Sequence, residues 1–131
     1  MKNYVLYEGS GRIAKHLYCP EDAVEANTEE GQTVLECGPE INATDYYVNT
    51  RGRKLIPKSQ FELHYKDTQE VGSLLTIAHV PEGTRVIWPD GEETVETDGI
   101  VECELAYVGE YLFEFRHAKF FTTKVTIHVP A

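Results

Sequence analysis

The feature that most constrains this sequence is a period of two running through its last third. In the segment 120–129, FFTTKVTIHV, one side takes Phe121, Thr123, Val125, Ile127 and Val129. The other side takes Phe120, Thr122, Lys124, Thr126 and His128. That alternation, with β-branched residues throughout, specifies a half-buried strand. The segment 110–117 repeats it, with Tyr111, Phe113 and Phe115 set against Glu110, Leu112, Glu114 and Arg116. In 100–107, Val101, Cys103, Leu105 and Tyr107 are expected to face inward, and Glu102 and Glu104 outward. Three consecutive strands of one period point to an antiparallel meander or a Greek key.

Turn chemistry separates these runs. Pro81-Glu82-Gly83 lies between LLTIAHV and TRVIW, and Pro89-Asp90-Gly91 lies between TRVIW and EETVET. Pro followed by Gly presets a tight turn. Asp98-Gly99 and Val108-Gly109-Glu110 mark the next boundaries, and FELHY at 61–65 alternates as one more strand. Seven short strands are therefore expected from about residue 59 onward, the pattern of a small β-sandwich.

The first part reads differently. Tyr4–Tyr7 and Arg12–Cys19 flank Glu8-Gly-Ser-Gly11 as a hairpin, so the glycines there answer to backbone geometry. Pro20-Glu21-Asp22 opens PEDAVEAN, which predicts one or two turns of helix with Pro at its first position. Thr33–Cys37 is a short strand, and 45–48 with 54–56 form a second hairpin around Asn49-Thr-Arg-Gly52. Pro57 and the polar Lys58-Ser59-Gln60 mark a boundary. The expected fold is mainly β: a small N-terminal hairpin or meander domain with a short helix (1–58), followed by an Ig-like antiparallel β-sandwich (59–131).

Length and charge bound the function. At 131 residues the chain holds one domain or two very small ones. Each part is small for a stable core, so the parts are expected to pack on each other or on partners. No apolar run approaches the ~20 residues of a membrane helix, and no secretory signal pattern opens the chain. With 12 basic and 22 acidic residues the formal charge is −10, which argues against nucleic acid as a partner. The acidity is uneven: residues 1–58 hold 7 basic and 9 acidic side chains, and residues 59–131 hold 5 and 13. The surplus reads first as a solubilising surface, and second as a repulsive or cation-binding face.

Catalytic motifs are not found. There is no GxSxG, no phosphate loop and no strand–GxGxxG–helix. Glu102 and Glu104 share an outward face, where two carboxylates serve glycosidases and Ca²⁺ sites, but a solvated strand face explains them. Asn42-Ala43-Thr44 fits a glycosylation sequon. Cys19, Cys37 and Cys103 form no CxxC pair, and the five histidines are scattered, so no metal or cofactor site is expected. Cys19 and Cys37 lie close enough in sequence to pair, or stand as two reduced thiols.

Aromatic residues are the better binding candidates. Trp88, the only Trp, ends a strand beside Pro89-Asp90-Gly91. It reads either as a core residue on the face of Val86 or as an exposed anchor for a sugar or a protein. Tyr46-Tyr47 and Phe120-Phe121 are adjacent pairs, and within a strand one member of each faces away from the core. Tyr46, Tyr47, Trp88, Phe120 and Phe121 are therefore the candidate partner-binding residues.

Two stretches together carry a resemblance. The opening YVLYEGSGRIAKHLYCPED…GQTVLECGP…DYYVNTRGRKLIPKSQF resembles the start of small bacteriophage tail proteins encoded among tail or tail-fibre genes. The later stretch, LLTIAHVPEGTRVIWPDGEETVETDGIVECELAYVGEYLFEFRHAKFFTTKVTIHV, resembles their C-terminal Ig-like module and is similar to PEGA-type domains. It departs from the PEGA pattern at Ala118-Lys119, where such repeats often carry Gly. The resemblance implies a non-enzymatic virion component at the tail tip or tail fibre, assembled in the bacterial cytoplasm. It implies other virion proteins as partners, assembly as a homo- or hetero-oligomer, and contact with a host surface glycan or protein. Capsid decoration, and a free carbohydrate- or protein-binding Ig-like module, are the alternatives.

Overall fold

The computed structural model describes all 131 residues. The protein is mainly β and divides into two compact units, Met1–Ser59 and Gln60–Ala131.

In the first unit β1 (Lys2–Tyr7) turns into β2 (Ile13–Cys19) through the Glu8–Arg12 loop. Arg12 closes that loop with two bonds to the Glu8 carboxylate, Nε to Oε2 at 2.8 Å and an Nη to Oε1 at 2.9 Å. The guanidinium holds the Glu8 carboxyl below the usual carboxylate range. β3 (Thr33–Cys37) pairs with β1 and not with β2, so the sheet order is β2-β1-β3. This corrects the meander reading. Two antiparallel neighbours of one strand are parallel to each other, so the chain must cross over between them. The PEDAVEAN segment lies in that crossover.

That segment forms two single 3₁₀ turns, Glu21–Ala23 and Glu25–Asn27, with Pro20 outside the first as its cap. The side chains explain why no α-helix forms. Asn27 Nδ2 donates to the Ala23 carbonyl and Thr28 Oγ1 to the Val24 carbonyl, both at 2.8 Å. They occupy the carbonyls four residues back, while the backbone N–H groups of Asn27 and Thr28 reach only three back.

β4 (Tyr46–Asn49) and β5 (Lys54–Pro57) form the second hairpin of this unit. It is tied to the first loop by the Val48 N–H donating to the Gly11 carbonyl at 2.9 Å. Val5, Tyr7, Ile13, Ile41 and Val48 form the core. The central strand is buried on both faces, because Tyr4 and Leu6 on its other side are covered as well.

The second unit has six strands: β6 (Leu74–Ala78), β7 (Arg85–Ile87), β8 (Glu93–Val95), β9 (Ile100–Glu104), β10 (Gly109–His117) and β11 (Phe120–Val129). β6 pairs with β9, and β11-β10-β7-β8 form a second sheet, all antiparallel. The chain starts in the smaller sheet with β6, makes the β7–β8 hairpin in the larger one, returns with β9 and ends with β10 and β11 laid beside β7, a Greek-key course across a β-sandwich. The inward residues Leu75, Ile77, Val86, Val101, Phe113, Phe115, Val125, Ile127 and Val129 share one core.

The expected seventh strand, 61–65, is reduced to one isolated bridge, in which His64 and Ala78 exchange both backbone bonds. Beyond it the chain turns through Lys66–Gln69, whose ends are joined by Gln69 Nε2 donating to the Lys66 carbonyl. Phe61 and Leu63 nonetheless pack on the core, as the alternation requires.

Tyr107 is the clearest departure from the expected facing, being 78% exposed. β9 ends at Glu104, and the chain then leaves for the other sheet, which breaks the alternation. The corner is held by Tyr111. Its hydroxyl donates to the Tyr107 carbonyl at 2.6 Å and accepts the Tyr107 N–H at 3.1 Å. A Tyr near the start of such a strand, bonded back to the upstream corner, is a recurrent fastening of Greek-key sandwiches.

Three outcomes test this account. Gly11 has φ +90°, and a Cβ there would run into the Val48 carbonyl oxygen. Gly11→Ala should therefore cost about 2 kcal/mol or more in urea unfolding. Phe113 is fully buried, so Phe113→Ala should cost about 3–5 kcal/mol in the same assay. The lowered Glu8 carboxyl stabilises the fold above its unfolded pKa, and this contribution disappears as pH falls through the folded value. Glu8→Gln should flatten that acid limb by no more than about 1 kcal/mol, since the pair is largely exposed.

Candidate functional site

The β7–β8 connection places the single Trp. The Gly91 N–H donates to the Trp88 carbonyl at 2.9 Å, and the Trp88 N–H donates to the Glu92 carbonyl at 2.8 Å. Pro89 sits second in this turn, where its fixed φ is wanted. Gly91 follows with φ +90°, the left-handed residue of a common hairpin turn. The Asp90 carboxylate accepts the Glu92 N–H at 3.0 Å and stiffens the tip.

Trp88 is half-buried on the Val86 side of the strand and packs against the core. Its ring meets Phe113 at 5.7 Å between centroids and 64° between planes, an edge contact. Its indole N–H donates to Thr94 Oγ1 at 2.8 Å. Trp88 thus lies at the edge of the core and also borders a cleft. That cleft, about 380 Å³ and open to solvent, is lined by Trp88, Pro89, Asp90, Glu92, Thr94, Cys103 and Tyr111. Its size lies in the range of small-molecule sites. Burial and the nearby Asp90 charge push the Cys103 thiol above its usual pKa.

Phe120 and Phe121 do not line this cleft. Phe120 and Phe121 lie at the start of β11. The β10–β11 register slips between Phe115 and His117. Beyond the slip Phe120 stacks on Phe61, at 4.9 Å and 24°. It also meets the His117 ring edge-on at 5.2 Å. His117 is held in turn by the Lys119 N–H donating to Nδ1 at 3.1 Å, which leaves Nε2 to donate to the Glu82 carbonyl at 3.0 Å. Phe121 is half-buried. Tyr46 packs on the core of the first unit, and Tyr47 is half-buried on the same strand.

The remaining polar candidates resolve into structural roles. Asn42 Oδ1 accepts the backbone N–H groups of Thr44 at 3.0 Å and Asp45 at 2.8 Å, a local turn leading into β4. Glu102 and Glu104 are exposed on the outer face of β9, opposite Thr76 and Leu74. No three His, Cys, Asp or Glu side chains converge to hold a metal ion. His64 and His79 stack at 4.0 Å, with His79 at φ +62°.

All three cysteines are free. Cys19 lies opposite Lys2 and Cys37 opposite Asn3, on the two flanks of β1. Strands two apart are separated by about 10 Å, beyond disulfide reach, and adjacent positions point to opposite faces.

The sequence singled out Trp88 but not the rest of its cleft. Cys103 and Tyr111 were legible as inward-facing, and Asp90 as a turn residue. What joined them was the pairing of β7 with β10, which sets the turn beside the start of β10, and the packing of the other sheet, which adds Cys103 of β9. No helix of the chain is long and apolar enough to cross a membrane. No family model matches the chain, and no curated protein or solved structure is significantly similar to it.

The thiols give a direct check. Intact mass after alkylation without reductant should show three modified cysteines. Cys103 and Cys37, whose burial raises their pKa, should react more slowly than an unhindered model thiol at neutral pH.

Proposed function

We propose that this chain is a non-enzymatic bacteriophage virion protein, a tail-tip or tail-fibre-associated component that serves assembly or host attachment. The reading is carried by the sequence resemblance described above, which spans nearly the whole chain in two consecutive stretches. In it the first unit docks to the virion and the acidic second unit provides the contact surface. The charge supports this division of labour, since residues 59–131 hold 13 acidic against 5 basic side chains. Such a surface resists non-specific adhesion to nucleic acid and anionic membranes during assembly. The partners in this reading are other tail proteins and a host surface molecule, and the chain works as a homo- or hetero-oligomer in the virion. Capsid decoration is the variant in which the same docking occurs on the head.

The Trp88 cleft favours a second reading, a free Ig-like binding module. The two are separable by experiment. Negative-stain imaging of the encoding phage with a gold-labelled antibody to this chain should mark the tail end. Marking of the heads at high copy number indicates decoration, and particles without label at any position overturn the virion reading.

A further inference from the structure

We propose that the Trp88 cleft binds a small organic ammonium ion, through aromatic walls and two carboxylates. The cleft offers a ligand only what its internal bonds leave free. Trp88 donates its only side-chain N–H to Thr94. Thr94 Oγ1, having accepted that bond, lies 3.3 Å from Glu96 Oε1 and donates to it. The Tyr111 hydroxyl donates to the Tyr107 carbonyl and accepts the Tyr107 N–H. The Cys103 thiol is 3.7 Å from the Glu104 carbonyl. The Trp88, Gly91 and Glu92 backbone N–H groups are engaged within the turn.

Every side-chain donor that lines the cleft therefore has an internal acceptor. What remains for a ligand is the π surface of Trp88 and Tyr111 and the carboxylates of Asp90 and Glu92. No Lys, Arg or His lines the cleft. Such a lining repels anions and gives no donors to a carbonyl or ether oxygen. It attracts a cation whose charge is spread over methyl or methylene groups, the chemistry that aromatic cages use for quaternary ammonium. The excess of acid over base in residues 59–131 adds a long-range attraction of the same sign, which salt will screen.

The ammonium group has two chemical sources, a free choline-like molecule or an alkylammonium side chain such as lysine. Trp88, the sole Trp, is the reporter. The full chain is titrated with choline chloride, with sodium chloride holding the ionic strength constant, and Trp88 emission is followed. Parallel titrations use N-acetyl-lysine methylamide, the neutral isostere 3,3-dimethylbutan-1-ol, and glucose or N-acetylglucosamine. A saturable change with choline, absent for the neutral isostere, is expected. The doubly neutralised variant Asp90→Asn/Glu92→Gln should bind roughly tenfold more weakly or worse. It keeps the Trp88–Phe113 contact, and its circular dichroism should match the parent.

A stronger response to choline assigns a free quaternary ammonium, and a stronger response to the lysine derivative assigns a side chain; either supports the class. The proposal is overturned if the isostere saturates equally, if a sugar saturates and no ammonium does, or if neutralising Asp90 and Glu92 leaves the choline curve unchanged.

Discussion

Two rings, Phe113 and Phe115, organise the second unit. They sit two residues apart on β10, fully buried, with centroids 6.5 Å apart. Phe115 meets Phe61 from the 61–65 segment, and Phe113 meets Trp88 from the β7–β8 turn. Each ring thus draws in one segment that is not itself part of a paired strand at that point. Without these two contacts Phe61 would keep only its stack on Phe120, and Trp88 would lose its inner wall. The cleft exists because a residue too large to enter the core completely is fastened to its edge.

The first unit meets the problem of size differently. Its central strand is covered on both sides, and a second hairpin is drawn against the Gly9-Ser10-Gly11 loop by a backbone bond. Gly11 is the one residue that fits between loop and hairpin. A short sheet with few buried side chains stays ordered when its central strand has no wet face, and when each loop has a fixed closing interaction such as Glu8–Arg12.

Much of this architecture was legible in the sequence because side-chain alternation is a local property. Both hairpins of the first unit, and β6, β7, β9, β10 and β11 of the second, fall where the period of two places them. Turn chemistry located the connection after Trp88 to the residue. What stayed hidden depended on partners distant in sequence. The β2-β1-β3 order follows from which edge of β1 receives Thr33–Cys37, and no local pattern carries that. Tyr107 continued the alternation on paper, but the strand had already ended at Glu104. One member of the Phe120–Phe121 pair was expected to face away from the core; beside the register slip Phe120 stacks on Phe61. The candidate site shows the same division, since Trp88 was marked by its rarity and its turn, while Cys103 and Tyr111 joined it only through the Greek-key path.

β11 is the last strand of its sheet, paired with β10 along one side. At ten residues it is the longest in the chain, and its only crossing on the other flank is the parallel bridge of Thr68 to His128. The amides and carbonyls between Phe120 and Ile127 on that flank form a ready template on which a foreign strand would extend the sheet. Lys124, midway along it, is the single formal charge in the run. Its ammonium opposes dry lateral stacking of one such flank upon another, so this one side chain acts as a guard against runaway fibre growth.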